Sequence, residues 1–134
     1  MYNLPMKTVT DTNIFLAVIL DEPEKAQIID LTVDRDLLAP EILPFEIGNA
    51  LTALMKRKSL TPTELPLLWK VAREIPVELT AVDINEALII AGRYNIYAYD
   101  AYFLQCALYH RSPLLTLDKR LKEIARDLGI KIVE

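Results

Sequence analysis

The feature that most constrains this chain is its alternation: short apolar runs suited to β-strands trade places with longer stretches of helical periodicity. No repeat and no Ser/Gly-rich linker divides them. Lys7-Thr8-Val9-Thr10 reads as a first strand and Thr12 to about Leu20 as a short helix. Pro23 fits the first turn of a second helix ending near Val33, before a strand at Leu37-Leu38-Ala39. Glu41 to about Lys58 is a long helix with apolar residues at Leu43, Ile47, Ala50, Leu51 and Leu54. Thr61-Pro62-Thr63-Glu64 starts another, with Thr61 as cap, Pro62 in the first turn and Glu64 closing a capping box, and it runs to about Glu74. Pro76-Val77-Glu78-Leu79 is a third strand, and Asp83 with Glu86 starts a helix reaching about Tyr94. Asp100 opens a helix with Phe103, Leu104, Ala107 and Leu108 on one face, followed by a strand at Leu114-Leu115-Thr116-Leu117. Asp118 begins the last helix, Gly129 stops it, and Ile130 to Val133 makes a closing strand. Apolar strands interleaved with helices predict one α/β domain over residues 1–134, with residues 1–6 a short N-terminal extension. Its centre is a parallel sheet of about five strands, covered by helices on both faces and joined by right-handed crossovers. Ligands of such sheets gather beyond the carboxyl ends of the strands, near a topological switch point.

Composition narrows the chemistry. With 134 residues, 52% hydrophobic and 25% charged, wholesale disorder is excluded. A single cysteine, Cys106, excludes a disulfide framework and a cysteine zinc site, and a single histidine, His110, leaves little room for a His-based triad. The longest apolar run, Ile14 to Leu20, is too short to span a bilayer and has no basic leader or cleavage signal, so a cytoplasmic protein without a membrane partner is expected. The net charge of −4 argues against broad electrostatic attraction to nucleic acid. The question becomes where the acids sit.

Asp11 directly follows the first strand and Asp118 the fourth, so a parallel sheet brings both to its carboxyl edge. Asp100 stands at a helix start, and Glu46 lies inside a helix on or beside its apolar stripe, among Leu43, Ile47 and Ala50. Each aspartate has an ordinary alternative as a helix N-cap worth about 1 kcal/mol. Glu46 has one as a surface acid at the edge of the stripe. Taken together they point further. Ionised carboxylates about 4 Å apart repel by roughly 4 kcal/mol at an effective dielectric near 20. Several such contacts rival the stability of a small domain, about 5–15 kcal/mol, so the cluster must protonate, admit a base or bind a cation. An all-oxygen set suits Mg²⁺ or Mn²⁺, and the matching reaction is hydrolysis of a phosphodiester by a metal-activated water.

From about Lys7 to Val133 the chain resembles the PIN domain family, in particular VapC-type ribonuclease toxins. Asp11-Thr12-Asn13 is similar to the family's opening motif and Pro44-Phe45-Glu46-Ile47-Gly48-Asn49-Ala50-Leu51 to its helical Glu motif with the following Asn. Tyr99-Asp100-Ala101-Tyr102 through Ala107 matches the third-acid motif and Leu115-Thr116-Leu117-Asp118-Lys119-Arg120-Leu121 the last. The resemblance implies a Mg²⁺- or Mn²⁺-dependent endoribonuclease whose carboxylates are Asp11, Glu46, Asp100 and Asp118. Thr12, Asn13, Asn49 and Thr116 would orient them through hydroxyl and amide hydrogen bonds. It also implies a homodimer silenced by a small cognate antitoxin. Toxins often carry a further acid after the last motif aspartate, where this chain has Lys119, Arg120 and Leu121, which leaves one versus two metals open.

Other residues have plainer readings. Lys56-Arg57-Lys58 suits a helix C-terminus. Lys119 and Arg120 are candidates for RNA-backbone contacts, and Tyr97, Tyr99 and Tyr102 either stack on bases or pack beside a helix start. Cys106 reads as a core residue, Trp69 as core or dimer interface, and His110 carries no catalytic role. Two other functions compete: a PIN-fold module that binds RNA or protein without cutting, and phosphoryl transfer on a receiver-like sheet. Against the latter, Asn13 replaces the second acid of an Asp-x-Asp pair.

Overall fold

A computed structural model describes residues 6–134. The chain runs β1 (Met6–Thr10), α1 (Thr12–Ile19), α2 (Lys25–Thr32), β2 (Arg35–Pro40), α3 (Leu43–Lys56), α4 (Glu64–Arg73), β3 (Glu78–Thr80), α5 (Ile84–Tyr94), α6 (Ala98–His110), β4 (Leu114–Leu115) and α7 (Lys119–Asp127). Residues 1–5 of the expected N-terminal extension lie outside the described residues, and Met6 already belongs to β1.

The strands pair in parallel in the order β3-β2-β1-β4. The chain winds outward from β1 through β2 to β3, then returns to lay β4 on the other side of β1. The winding direction therefore reverses between β1 and β4, and a crevice opens beyond their carboxyl ends. The anticipated fourth and fifth strands are both shorter than expected. β4 leaves the ladder after Leu115, because Thr116 and Asp118 turn into contacts at that crevice. The segment Ile130 to Val133 survives as one parallel bridge, Leu114 to Ile132, since a two-residue strand offers it little to pair with.

Side chains alternate across the sheet. Register sets Val9 between Leu38 and Leu114, all three essentially without solvent contact, and this face packs on Phe103 and Leu104 of α6 within the main core. The opposite face carries Leu115, which joins Ile14 and Ala17 of α1, Ile28 of α2 and Val133 in a smaller cluster. Helices thus cover both faces. α1 contains no charged residue and buries Ile14 and Phe15 in different clusters, as an all-round apolar helix must. The buried hydroxyls of β1 are satisfied: Thr10 donates to the Thr8 carbonyl at 3.1 Å, and Arg35 donates to Thr8 Oγ1 at 3.1 Å. Among the described residues no helix is long and apolar enough to cross a membrane.

Several helix starts follow their local chemistry. Asp83 accepts from the Glu86 N–H and Asp118 from the Leu121 N–H, each at 3.1 Å, and Glu64 Oε1 accepts from the Thr61 N–H at 2.9 Å. Two starts differ. Pro23 lies in the turn before α2 rather than within its first turn. α6 begins at Ala98, with Tyr97 at the cap, because Asn95 in the left-handed region ends α5 only two residues earlier. Asp100 is consequently the third helical residue and caps nothing. Leu108, expected on the inner face of α6, is 40% exposed.

Leu104→Ala is expected to lower unfolding free energy by about 2–5 kcal/mol, whereas Leu108→Ala should cost under about 1 kcal/mol. Urea denaturation of both variants checks the assignment of the α6 inner face.

Candidate active site

The crevice at the switch point is a cavity of about 360 Å³. Four elements deliver an acid to it: the turn after β1 brings Asp11, the first turn of α3 Glu46, the first turn of α6 Asp100, and the cap of α7 Asp118. Asp11 is buried at 7% exposure, Glu46 and Asp100 are half-buried and Asp118 is exposed. Thr12, Asn13 and Asn49 also line the cavity, and among the described residues no Lys, Arg or His does. A larger cavity of about 530 Å³ at the opposite sheet edge, beside Arg35, Arg111 and Lys131, brings together none of the four acids.

Asp11 is held from three sides. Its Oδ1 accepts from the Thr12 N–H at 2.8 Å, and its Oδ2 accepts from the Thr116 hydroxyl at 2.7 Å and from Asn13 Nδ2 at 3.2 Å. Asn13 Nδ2 also donates to Thr116 Oγ1 at 3.2 Å, while Asn13 Oδ1 accepts from the Leu117 N–H at 3.2 Å. Thr116 Oγ1 in turn accepts from the Asp118 N–H at 3.1 Å. Two turns far apart in the chain are thereby locked to each other, and both alignable oxygens of Asp11 are fixed. Thr12 takes part through its backbone rather than its hydroxyl, since Thr12 Oγ1 is buried without a partner. Asn49 lies one turn beyond Glu46, exposed at the cavity wall. Lys119 and Arg120 do not line the cavity; both are exposed on the first turn of α7, and Arg120 lies 3.6 Å from Glu123.

Protonation follows from this burial without cations. Burial pushes Asp11 up to about 6, with the Asp100 and Asp118 carboxylates adding to the rise and the Thr116 and Thr12 hydrogen bonds opposing it. Burial pushes Glu46 up to about 7, helped by the Asp11 and Asp100 charges. Burial and then the Asp118 charge also raise Asp100. Glu46 Oε1 is buried and without a hydrogen-bond partner. Among the described residues, however, no three His, Cys, Asp or Glu side chains stand close enough together to hold a metal ion between them. The acids share one cavity without forming a closed cage. That donor set fits a hydrated Mg²⁺ or Mn²⁺, which takes one or two carboxylates, keeps several waters and accepts substrate oxygens. It does not fit an ion stripped of water.

Sequence reasoning passed over Phe45, which lines the cavity wall with Tyr99. Its signal was available: a large apolar residue directly before an inward-facing acid. Cys106 is buried as expected, its thiol raised by burial. Trp69 is 39% exposed, beside an apolar groove shared with Phe45.

The family model described as PIN domain matches residues 8–127. No curated protein matches the sequence. Among solved structures, PAE2754 from Pyrobaculum aerophilum superposes with a TM-score of 0.73 at 17% identity, over 96% of this chain and 85% of that one. VapBC2 from Rickettsia felis, bound to a DNA fragment from their promoter, gives 0.65 at 14% identity, over 95% and 97%. A toxin–antitoxin complex from Klebsiella pneumoniae gives 0.56 at 19% identity, over 83% and 86%. At such identities the likeness speaks for the fold.

Raised carboxyl values carry a sign for stability. Asp11 and Glu46 bind protons more tightly folded than unfolded, so their contribution is fully favourable below about 4 and is lost as pH rises toward about 7. Glu46→Gln should match the wild type in thermal stability at pH 5 in EDTA. At pH 8 it should exceed it by on the order of 1 kcal/mol, after allowance for solvent screening of a half-open group. A constant difference across that range, measured by scanning calorimetry, would contradict the assigned burial.

Proposed function

This chain belongs to the PIN domain family, and from that premise we propose that it is a Mg²⁺- or Mn²⁺-dependent endoribonuclease hydrolysing RNA phosphodiester bonds, the toxin of a toxin–antitoxin pair. The whole of residues 1–134 would form the nuclease unit, acting in the cytoplasm. The observation that carries the reading is a switch-point cavity to which four separate elements each supply a carboxylate and none supplies a cation. Such a site stores unfavourable charge that a divalent ion relieves.

In this reading one or two of Asp11, Glu46, Asp100 and Asp118 would ligate a hydrated ion directly, and the others would reach it through its waters. When bound, the ion would lower the pKa of a water and offset charge on the phosphate. The chain's own groups divide the remaining work. Thr116 and Asn13, with the Thr12 N–H, keep Asp11 in one rotamer, so its oxygens need no reorganisation when a ligand arrives. Glu46, with Oε1 unpartnered, is suited to take the proton of an attacking water at that oxygen. Lys119 and Arg120 would meet RNA phosphates from outside the cavity. The complexes from Rickettsia felis and Klebsiella pneumoniae support an antitoxin partner, and the resemblance to VapC-type toxins supports a homodimer.

The lack of a three-donor group among the described residues favours a second reading, a PIN-fold module that binds RNA without cutting it. Cleavage of a mixed RNA substrate with Mn²⁺ separates the two. Asp11→Asn and Glu46→Gln should each lower kcat by about 10²–10⁴-fold, and EDTA should abolish turnover. Thr116→Val should lower activity by about 10- to 100-fold, because it removes the hydroxyl that aligns Asp11 and holds the Asp118 N–H and Asn13. Turnover indifferent to EDTA and to Asp11→Asn would overturn the mechanism. Bound RNA with no calorimetric Mn²⁺ signal would establish the second reading.

A further inference from the structure

Two large aromatic side chains stand exposed at the carboxylate cavity: Tyr99, for which the sequence allows stacking or packing, and Phe45, to which no role has been given. Phe45 directly precedes Glu46 on α3 and is 73% exposed; Tyr99 directly precedes Asp100 on α6 and is 53% exposed. Both line the cavity. Tyr102 meets Tyr99 edge to face, with centroids 5.9 Å apart and planes at 86°, which restricts how the Tyr99 ring turns. An exposed phenyl ring beside a desolvated acid gains nothing from water, and its ring face is free for a ligand.

The charge of the cavity selects what that ligand is held by. Its lining offers acids and no cations, so the phosphates of an entering strand find no ion pair there. Beyond what a bound divalent ion would supply, the cavity must hold a nucleotide by its other parts, and nucleobases have apolar faces that stack on aromatic rings whatever their sequence. In a duplex those faces are occupied by neighbouring bases. We infer that Phe45 and Tyr99 are base-stacking residues that select unpaired RNA at the cavity, each taking one nucleobase beside the bond to be cut. The inference rests on RNA being the ligand and adds the two residues that hold its bases. A protein segment is the competing occupant of Phe45, because an apolar groove of about 680 Å³ runs from Phe45 and Asn49 to Trp69. Tyr99 lies outside that groove and inside the cavity, so the pair of rings converges on the acids rather than on the groove.

The test is fluorescence anisotropy with Mg²⁺, using a fluorescein-labelled phosphorothioate RNA of mixed sequence, single-stranded or annealed to its complement. Unmodified RNA is assayed for cleavage in parallel. The wild type should bind the single strand at least about tenfold more tightly than the duplex. Phe45→Ala and Tyr99→Ala should each weaken single-strand binding by roughly 5- to 150-fold, the effect of losing one stacked base. Phe45→Trp should restore it, and in cleavage the alanine variants should raise KM far more than they lower kcat. Both rings project into solvent, so neither substitution removes core. The inference is overturned if the alanine variants bind the single strand like the wild type, if duplex binds equally well, or if the wild type binds neither. Ring-dependent binding without metal-dependent cleavage would instead overturn hydrolysis and leave the stacking residues standing. Cleavage indifferent to both rings would do the reverse.

Discussion

The hydrogen bond from the Thr116 hydroxyl to Asp11 is the contact on which the rest of the site depends. It spans the switch point and joins the turn after β1 to the turn after β4. Asn13 makes the same crossing with its amide, giving from Nδ2 and accepting at Oδ1. A carboxylate as buried as Asp11 would be costly alone; three donors make it tolerable and give it one orientation. The brevity of β4 follows from this arrangement. Beyond Leu115 the chain turns, and Thr116 and Asp118 contact the crevice instead of extending the ladder.

The acids are a local liability carried by a well-packed whole. Val9, Leu38 and Leu114 on one side and the cluster around Leu115 on the other make the sheet rigid enough to keep like charges in one cavity. The site therefore shows the trade common to functional centres, in which stability is lost where chemistry is gained. Raised protonation at Asp11, Glu46 and Asp100 is the visible sign of that trade, and each rise has the same leading cause, burial.

Much of this was legible from residue order. Parallel strands put Asp11 and Asp118 at one edge, because Asp11 directly follows β1 and Asp118 stands three residues past β4. The helical position of Glu46 beside Leu43 and Ile47 set its direction. What local patterns could not show were features decided by distant partners. Asp100 looks like a cap by type, yet the length of the α5–α6 connection places it inside the helix. Leu114 to Leu117 is strongly apolar in sequence, but its strand ends at Leu115 because tertiary hydrogen bonds claim Thr116. Thr12 holds Asp11 through its amide, a backbone contact that residue type does not reveal. Phe45 carried a signal, its place directly before Glu46, but an apolar residue at a helix start is ordinarily read as packing, and its 73% exposure shows otherwise.

The sheet's margins have a further bearing on how this molecule meets other proteins. β3 contributes three residues at one border, with Glu78 exposed there and paired to Lys7 at 3.6 Å, and the other border ends in a lone bridge. Among the described residues, neither margin presents a run of free amides and carbonyls long enough for a visiting chain to extend the ladder. Self-association by stitching sheets together is thereby discouraged, even though the interior strands are strongly apolar. Any companion that recognises this molecule must do so through side chains on its helical exterior, where affinity is tuned residue by residue rather than by generic backbone pairing.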